Sequence, residues 1–540
     1  MERIRYLHRG MWSRLVGPSY VEPTWTAAVD LLELGARGDT PWLTFHRGRD
    51  AEHLSTLGAL KLAKRWAAAL LQQGVRGGDR VLLVLPNGPD FVGAFFGAQF
   101  LGAIPVPAPW AGTQRVGGQF VDRRLRPLVA SARPRVIASL PGALPDAPIA
   151  TPLVLGPAEH GLSGDRHLGR SGTAFIQFTS GTSGAPRGAI ISQAAVVAST
   201  VGMGAALGLE PGQAAVSWLP FFHDMGLVGT LLSSLVAGVE LHVLAPQEFL
   251  LHPERWLVVL ADTQARVTVA PNFGYGHAAR RARLPEAADL GSLQVALNGA
   301  EPVLRATQDA FEHRFAPSGL RAGAFRPAYG LAEATLAVCI ADPGGAPDLE
   351  VEGRLVPAVG VPTAGTVVEV RSPEGTVLPA GEQGELWVRG PSLMDGYFEA
   401  PEATANVVND GWLRTGDLGT ISRGALYVTG RKKDLVIKAG QKFFPYEIER
   451  IAVEAAGPRA GAAVAFATSD GADGTERLIV VVELPSVEMP GAAERVRGEV
   501  AGNLGVTPDL VVFVAPGGIP RTTSGKIRRD DCRQLLRNPA

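Results

Sequence analysis

Cysteine, lysine and net charge are all scarce in this sequence of 540 residues. Its two cysteines, Cys339 and Cys532, exclude a disulfide scaffold and a cysteine-based zinc cluster. The 51 basic residues face 52 acidic ones, and the resulting net charge of −1 gives no global basic field for nucleic acid or an anionic membrane, although a local patch is not excluded. Only seven of the basic residues are lysines, so a lysine is more informative here than an arginine.

Long hydrophobic runs are also missing. The most membrane-like stretch, residues 229–246, is too short to span a bilayer and contains Ser233, Ser234, Glu240 and His242. Residues 1–20 are mixed and charged, without the apolar core or cleavage site of a secretory signal. We therefore expect no integral membrane segment and, by default, a cytoplasmic protein.

The composition that is present suits a globular protein of two to four domains, with 46% hydrophobic and 19% charged residues. Apolar runs of strand length recur, several of them continuous as in strands buried on both faces: residues 81–85, 136–138, 175–178, 267–270, 293–297, 367–370 and 478–482. Helical patterns lie between them, for example at 56–73 and 91–101. This alternation predicts an α/β fold with largely parallel sheets.

Two later regions have a different pattern. Residues 371–427 have shorter apolar runs and many turns, which predicts a small antiparallel β subdomain, drawn at about 360–430. From residue 431 onward the pattern mixes strands and helices. The charge cluster at 431–434 marks a plausible boundary between a domain at 1–430 and one at 431–540.

Residues 179–188, Thr-Ser-Gly-Thr-Ser-Gly-Ala-Pro-Arg-Gly, form a dense loop pattern between two apolar runs. Glycines let backbone approach a ligand, and exposed N–H groups and hydroxyls can donate to phosphate oxygens. No Gly-Lys-Ser/Thr follows, so this is not a Walker A loop, and Ser183 is not in a G-x-S-x-G nucleophile elbow. The pattern favours phosphate binding over a merely flexible loop.

This loop resembles the phosphate loop of the adenylate-forming superfamily, and four further stretches resemble that superfamily's motifs in the same order. They are the YG-x-x-E-x-T motif at 329–335, the W-x-x-TGD motif at 412–417, the hinge motif at 430–434 and the C-terminal lysine motif at 520–526. The resemblance covers essentially the whole chain. Within the superfamily the chain is most similar to fatty acyl-AMP ligases, through residues 217–226, 270–273, 297–302 and 325–327.

The resemblance implies a large N-terminal domain of two α/β subdomains with parallel-rich sheets plus a small β subdomain, followed by a small mobile α+β domain. It also implies ATP and Mg²⁺ as cofactors. ATP would contact a set of residues shared with the family motifs: Thr179, Ser180, Gly181, Thr182, Ser183, Gly184, Arg187, Asn298, Gly299, Ala300, Glu301, Pro302, Tyr329, Gly330, Asp417, Arg431 and Lys526.

Individual roles follow from the same resemblance. Thr179 belongs to the catalytic set, and Glu333 would hold Mg²⁺ through a hard carboxylate oxygen. Tyr329 would stack on adenine, and Asp417 would accept hydrogen bonds from the ribose hydroxyls. Lys526 would bridge the carboxylate substrate and the α-phosphate as negative charge develops between them.

The acid-binding pocket is expected to be lined by six residues in segments that line it in relatives: Phe222, His223, Met225, Phe273, Gly274 and Gly276. Amino-acid-activating relatives carry an aspartate near the Phe-Phe-His stretch to pair the substrate ammonium. Here His223 occupies that place, with Asp224 beside it. This favours a non-amino carboxylic acid.

One departure concerns the acceptor of the acyl group. Fatty acyl-AMP ligases carry an extra segment after the YG-x-x-E-x-T motif, but only 27 positions separate Glu333 from Gly360 here. Residues 438–449 also resemble the version found in CoA ligases. Lys433 is the expected hinge for rotation of the C-terminal domain, and Gly440 would give room for a pantetheine arm.

We therefore expect a ligase that adenylates a fatty or aryl acid and passes the acyl group to a phosphopantetheine thiol. A carrier protein in trans is slightly favoured over free CoA; only fourteen residues follow Lys526, so no fused carrier domain is expected. An amine or intramolecular acceptor and a non-catalytic nucleotide-binding relative are the other readings. A dehydrogenase is disfavoured, because no G-x-G-x-x-G follows an early strand.

Overall fold

The computed structural model describes residues 12–34, 41–110, 125–141, 144, 151–162, 171–179, 186–351, 354–438, 441–468, 477–485, 491–521 and 527–537. The chain divides into two compact units. The first comprises residues 1–415 and 419–428, and the second comprises residues 416–418 and 429–540.

The first unit alternates strands and helices. Its helices, in chain order, are α1 (Ala28–Leu34), α2 (Thr56–Gln72), α3 (Pro89–Phe100), α4 (Arg126–Ala132), α5 (Gln193–Leu207), α6 (Asp224–Gly226), α7 (Ser233–Ala237), α8 (Pro246–Leu251), α9 (Pro253–Asp262), α10 (Asn272–Arg281), α11 (Arg305–Phe315) and α12 (Pro401–Ala405). A π-helical turn, Leu227–Leu232, joins α6 to α7, and 3₁₀ turns occur at Ala316–Ser318 and Ala332–Ala334.

The strands of this unit are β1 (Arg14–Val16), β2 (Pro41–Arg47), β3 (Asp50–Ser55), β4 (Arg80–Leu83), β5 (Ile104–Pro107), β6 (Val136–Ser139), β7 (Leu153–Leu155), β8 (Thr173–Thr179), β9 (Arg187–Ser192), β10 (Ala214–Ser217), β11 (Glu240–Val243), β12 (Val267–Ala270), β13 (Val295–Asn298), β14 (Phe325–Gly330), β15 (Ala337–Ile340), β16 (Leu349–Val351), β17 (Arg354–Val356), β18 (Val361–Pro362), β19 (Val367–Arg371), β20 (Gly384–Arg389), β21 (Gly396–Tyr397), β22 (Val408–Asn409), β23 (Trp412–Ser422) and β24 (Ala425–Arg431). The last two strands run across the boundary between the units.

A nine-stranded sheet forms the centre of the first unit, in the order β18-β15-β14-β13-β12-β10-β11-β2-β3. The six strands from β14 to β2 pair in parallel, and antiparallel strands flank them. Every residue of β12 and β13 is buried, which explains why these strands are mostly apolar and contain no charged residue. A second sheet, β5-β4-β6-β7, is entirely parallel.

These sheets confirm the predicted α/β class with parallel-rich sheets. The run at 175–178 lies in β8, which instead pairs antiparallel with β9 in the small sheet β21-β9-β8. Its residues 174–177 are buried all the same. A mostly apolar run of strand length therefore indicates burial and not the direction of the neighbouring strand.

Residues 367–422 contribute to a six-stranded sheet, β1-β19-β20-β23-β22 with β24 paired to β23. The pairings of β1 with β19, β19 with β20 and β22 with β23 are antiparallel. The edge strand β1 comes from near the start of the chain, a pairing that sequence analysis did not anticipate. The sequence of its three residues does not indicate a partner more than 350 positions away, since register is decided by tertiary packing.

The second unit contains β25 (Val436–Lys438), β26 (Gln441–Phe443), α13 (Pro445–Ala456), β27 (Ala463–Thr468), β28 (Arg477–Glu483), α14 (Ala492–Leu504), β29 (Leu510–Val514) and α15 (Arg529–Arg537). Its three-stranded sheet pairs β27 antiparallel and β29 parallel to the central β28. Helices α13 and α14 bury apolar residues in a core of this unit's own, which includes Ile448, Val480 and Val496.

Candidate active site

The two described ends of the phosphate-loop pattern are brought together by a hairpin. Strands β8 and β9 place Thr179 opposite Arg187, and the Thr179 hydroxyl donates to the Arg187 carbonyl oxygen at 3.5 Å. The predicted contacts from Ser180 to Gly184 lie outside the described residues.

Glu333 and Arg187 are joined through a side chain that sequence analysis did not single out, Tyr397. The Tyr397 hydroxyl donates to Oε1 of Glu333 at 2.7 Å, and the guanidinium carbon of Arg187 lies 5.7 Å from the centroid of the tyrosine ring. Burial, and then the neighbouring Glu333 charge, raise the pKa of Tyr397 well above its ordinary value. The phenol is therefore a neutral hydrogen-bond donor at physiological pH.

The backbone around Tyr397 connects the same two parts of the chain. Strand β21 pairs antiparallel with β9, and the Phe398 N–H donates to the Gly188 carbonyl oxygen at 2.7 Å. Four residues earlier, the Met394 N–H donates to the carbonyl oxygen of Glu333 at 2.9 Å. The buried Thr335 hydroxyl donates to the Ser392 carbonyl oxygen at 2.6 Å.

The segment expected to border adenine follows strand β13. Asn298 ends that strand and is fully buried, and its amide nitrogen donates to Asn272 Oδ1 at 3.3 Å. Asn272 Oδ1 also accepts from the Leu304 N–H at 3.0 Å, so this side chain, which sequence analysis missed, ties the segment to the start of α10. Within the described residues, Oδ1 of Asn298 has no hydrogen-bond partner.

Other predicted residues of this segment sit in the same turn. Ala300 has a positive φ of 67°, a backbone conformation that few side chains adopt without tertiary support. The Glu301 carboxylate accepts a hydrogen bond from the Phe273 N–H. Gly299 precedes Ala300 and Pro302 follows Glu301. The bonds of Asn298 to Asn272 and of Glu301 to Phe273 hold the 298–302 segment against the start of α10.

Tyr329 and Gly330 end the neighbouring strand β14, where the pairing with β15 shifts register between these two residues. Tyr329 is buried, with 8% of its surface exposed. A Cβ on Gly330 would lie 1.9 Å from the Leu336 carbonyl oxygen, so the bulge admits only glycine there.

The predicted acid pocket follows strands β10 and β12. Trp218 comes directly after β10 and stacks on Phe249 with ring centroids 3.9 Å apart. Its edge meets Phe273, and a Cβ on Gly274 would lie 2.7 Å from the Trp218 ring. Trp218 and Phe249 are core residues, 3% and 0% exposed, whereas Phe273 is half-buried.

Hydrogen bonds hold three of the remaining predicted pocket residues, Phe222, His223 and Met225. The Phe222 carbonyl oxygen accepts from Gln177 at 3.1 Å. Nδ1 of His223 lies 2.7 Å from Oδ1 of Asp224, and the Met225 N–H donates to the same oxygen at 2.7 Å. On α10, a Cβ at Gly276 would come 3.2 Å from the Arg280 guanidinium.

The ends of β10, β12, β13 and β14 lie on one edge of the nine-stranded sheet. Residues Ala270 and Asn298 are paired, and Asn298 is paired with Pro327, so the segments that follow these strands start side by side. Ligands of open parallel sheets bind outside the carboxyl ends of their strands. The predicted adenine and acid segments therefore share the edge where a ligand is expected.

The second unit holds its own predicted residues. Asp417 is 4% exposed, and its Oδ1 lies 2.7 Å from Nε of Arg431. Lys433, the predicted hinge, is exposed. Lys526 and Gly440 lie outside the described residues. Arg521 and Ile527, on either side of the lysine motif, form an antiparallel bridge.

Residues 35–398 match the family described as AMP-binding enzyme. Over 514 residues the chain is 35% identical to a 4-hydroxyphenylalkanoate adenylyltransferase of Mycobacterium tuberculosis, covering 84% of this chain and 81% of that protein. It is 34% identical over 565 residues to a long-chain-fatty-acid–AMP ligase of Mycolicibacterium smegmatis, covering 87% and 86%. A solved structure from a study of fatty acyl-adenylate ligases of E. coli and L. pneumophila superposes with a TM-score of 0.83 at 30% identity, covering 95% of this chain and 98% of that one.

The chain belongs to the AMP-binding enzyme family of the adenylate-forming superfamily, and it is an acid-activating ligase. The predicted superfamily and enzyme class are therefore confirmed. Among the helices of the described residues, none combines the length and apolar character needed to cross a bilayer.

Proposed function

We propose that this ligase condenses a hydrophobic carboxylic acid with ATP and then transfers the acyl group to the phosphopantetheine thiol of a separate acyl carrier protein. In the first step a carboxylate oxygen attacks the α-phosphorus, the bond to the β-phosphate breaks, and pyrophosphate leaves. In the second step the thiolate attacks the acyl carbon and AMP leaves. The observation that carries the proposal is the shared sheet edge, where the segments assigned to adenine and to the acid follow adjacent parallel strands.

The described residues suit a Mg²⁺ ion that is held by one protein carboxylate together with phosphate oxygens of ATP. Within the described parts of the chain, no three histidine, cysteine, aspartate or glutamate side chains are grouped as a metal site. Mg²⁺ at nucleotide sites is typically held by one or two carboxylates together with substrate phosphates. We assign that carboxylate to Glu333, where the metal would offset the negative charge of the triphosphate.

The remaining charges have separate proposed tasks. Arg187 supplies a cation at the end of the phosphate loop, where its planar fork suits phosphate oxygens. Asp417, oriented by Arg431, accepts from the ribose hydroxyls. Lys526 supplies the positive charge that stabilises the developing negative charge between the acid and the α-phosphate.

The pocket chemistry supports a fatty or aryl acid without an amino group. Phe273 is half-buried and makes a ring contact with the buried Trp218, which stacks on the buried Phe249, so we assign Phe273 to an apolar wall backed by aromatic core. Asp224 is already engaged by His223 and by the Met225 N–H, so its carboxylate is committed to the protein rather than to a substrate ammonium. A neutral acyl chain is the substituent that this wall accommodates at least cost.

Free CoA is the alternative acceptor, and the short segment between Glu333 and Gly360 favours it. That segment contains the hairpin of β16 and β17. Arg305 makes a two-pronged ion pair with Asp348 at 2.6 and 2.7 Å, and Tyr427 donates to the Pro347 carbonyl oxygen at 2.8 Å. The similarity to two proteins named for adenylate formation supports the carrier protein instead.

One incubation series tests the proposal. Purified protein would receive ATP, Mg²⁺ and a panel of fatty, aryl and amino acids, each with no thiol, with CoA, or with a phosphopantetheine-loaded carrier protein, and mass spectrometry would identify the products. We expect adenylates of fatty or aryl acids to form first, and their acyl groups then to be transferred to the thiol of the carrier protein. Acyl-CoA would establish the alternative acceptor, and adenylates of amino acids alone would contradict the proposed pocket.

A further inference from the structure

Tyr397 contacts two residues to which the proposed function gives different tasks. Its hydroxyl donates to the carboxylate of Glu333, and its ring lies beneath the guanidinium of Arg187. We propose that Tyr397 is a positioning residue that aligns the metal-binding carboxylate with the end of the phosphate loop, so that one Mg²⁺–triphosphate unit can engage both. This inference rests on the proposed function, because it concerns the same site.

The hydroxyl is suited to this task because it constrains the carboxylate without neutralising it. A phenol offers one hydrogen-bond donor and no charge. At 2.7 Å it holds Oε1 of Glu333, while the carboxylate keeps its negative charge for a cation. An arginine or lysine in the same place would compete electrostatically with the metal.

The backbone gives the same alignment a second support. Tyr397 is opposite Ala189 in the pairing of β21 with β9, and its own N–H donates to the Thr404 hydroxyl at 2.8 Å. Met394 is bonded to the Glu333 carbonyl oxygen. A displacement of the Tyr397 segment would therefore shift the phosphate-loop strand and the Glu333 turn together.

A purely structural tyrosine would behave differently from a positioning one, and Tyr427 provides the comparison. Tyr427 is fully buried in the same unit, and its hydroxyl donates at 2.8 Å to the carbonyl oxygen of Pro347, a residue not assigned to ATP. Replacing either tyrosine by phenylalanine removes one hydroxyl and leaves the ring in place.

The test measures metal–nucleotide binding without turnover. Mn²⁺, which is visible by electron paramagnetic resonance, would be titrated into full-length protein with ATP and no acid, for the wild type, Tyr397→Phe, Tyr427→Phe, Glu333→Gln and the double variant Tyr397→Phe/Glu333→Gln. We expect Tyr397→Phe to weaken Mn²⁺–ATP binding by about tenfold, near the lower end of the range for a lost hydrogen bond to a charged group. Tyr427→Phe should bind like the wild type.

In the Glu333→Gln background, Tyr397→Phe should have little further effect, since the charged metal ligand that Tyr397 positions is gone even though the amide oxygen can still accept its hydrogen bond. Unchanged Mn²⁺–ATP binding in a folded Tyr397→Phe protein would overturn the inference, and so would equal losses in the two tyrosine variants or full additivity in the double variant. Circular dichroism and thermal unfolding would verify folding. A wild type that binds Mn²⁺–ATP but forms no acyl adenylate would contradict the proposed function alone.

Discussion

Two carboxylates assigned to ATP, Glu333 and Asp417, are held by chemically different partners. A neutral phenol holds Glu333, whereas the Arg431 cation lies 2.7 Å from Asp417. A carboxylate paired with arginine has its charge largely balanced and serves best as a hydrogen-bond acceptor for hydroxyls. One held by a phenol keeps its charge for a metal ion. The choice of partner thus separates the two tasks that the proposed function gives to otherwise equivalent groups.

The largest expected effect comes from Lys526, which belongs to neither pair. Lys526→Ala should reduce ATP–pyrophosphate exchange by about 10³-fold or more, since it removes charge stabilisation made in the transition state. Because both carboxylates remain, Mn²⁺–ATP binding should stay within about twofold of the wild type. Exchange retained in a folded variant would contradict the role of Lys526, and lost binding would show that ground-state binding depends on it as well.

Glu333→Gln should have the next largest effect. The amide keeps the shape and the hydrogen-bonding oxygen but loses the charge, so exchange should fall by about 10²-fold with the apparent requirement for Mg²⁺ raised. The measurement is exchange rate against Mg²⁺ concentration. An unchanged Mg²⁺ dependence would remove the distinction between the two carboxylates.

Asp417→Asn should have a smaller effect of another kind. The amide can still accept from one ribose hydroxyl, so we expect the KM for ATP to rise by about tenfold, or ~1.4 kcal/mol, with little change in the Mg²⁺ requirement. Steady-state kinetics with ATP and Mg²⁺ varied independently would show this. A shift mainly in the Mg²⁺ requirement would mean that Asp417 acts on the metal.

The last prediction concerns the stability of the protein and has the smallest expected effect on activity; it limits the pH range in which the carboxylate variants can be compared. His46 Nε2 lies 3.2 Å from His242 Nδ1. Burial lowers the pKa of each to about 4, assisted for His46 by His242, Arg255 and His53 and for His242 by His53. Glu240 lies 3.5 Å from His242. The unfolded chain would bind protons at these histidines from about pH 6.5 downward.

The free energy of unfolding should therefore fall as the pH drops from about 6.5 to about 4, with no further loss from this pair below that range. The slope approaches ~1.4 kcal/mol per pH unit for each histidine that differs fully between the two states, and solvent at the half-buried His46 reduces it. Urea unfolding from pH 4.5 to 7 would measure it. His242→Gln should give a flatter profile, and a profile as steep as that of the wild type would contradict this assignment.

Much of the fold could be predicted from the sequence, because a strand that is buried on both faces is mostly apolar. The runs at 267–270 and 293–297 correspond to the buried strands β12 and β13, and the helical pattern at 56–73 corresponds to α2, whose first turn is capped by Ser55. The pairing of β1 with β19 left no such trace, because a three-residue strand does not encode its neighbour.

Residues of the candidate site could be predicted from the sequence where they belong to dense local motifs, and not where only their tertiary contacts reveal them. Glu333, Tyr329 and Asp417 stand in dense motifs, and their assigned roles remain predictions. Tyr397 and Asn272 lie in short segments without a recognisable motif, and their roles become visible only through hydrogen bonds to distant residues. A Tyr after a Gly reads as an ordinary strand or turn residue until its hydroxyl partner is known.

The pairing of Tyr397 with two distant segments also constrains the construction of chimeric enzymes. Residues 392–398 are hydrogen-bonded or paired with both 187–190 and 333–335, although more than 200 positions separate 187–190 from 392–398. Crossover points for exchanging an acid pocket should therefore fall so that all three segments come from one parent. A pocket cassette drawn from 214–281 meets that condition, whereas a single crossover between 340 and 390 divides the set.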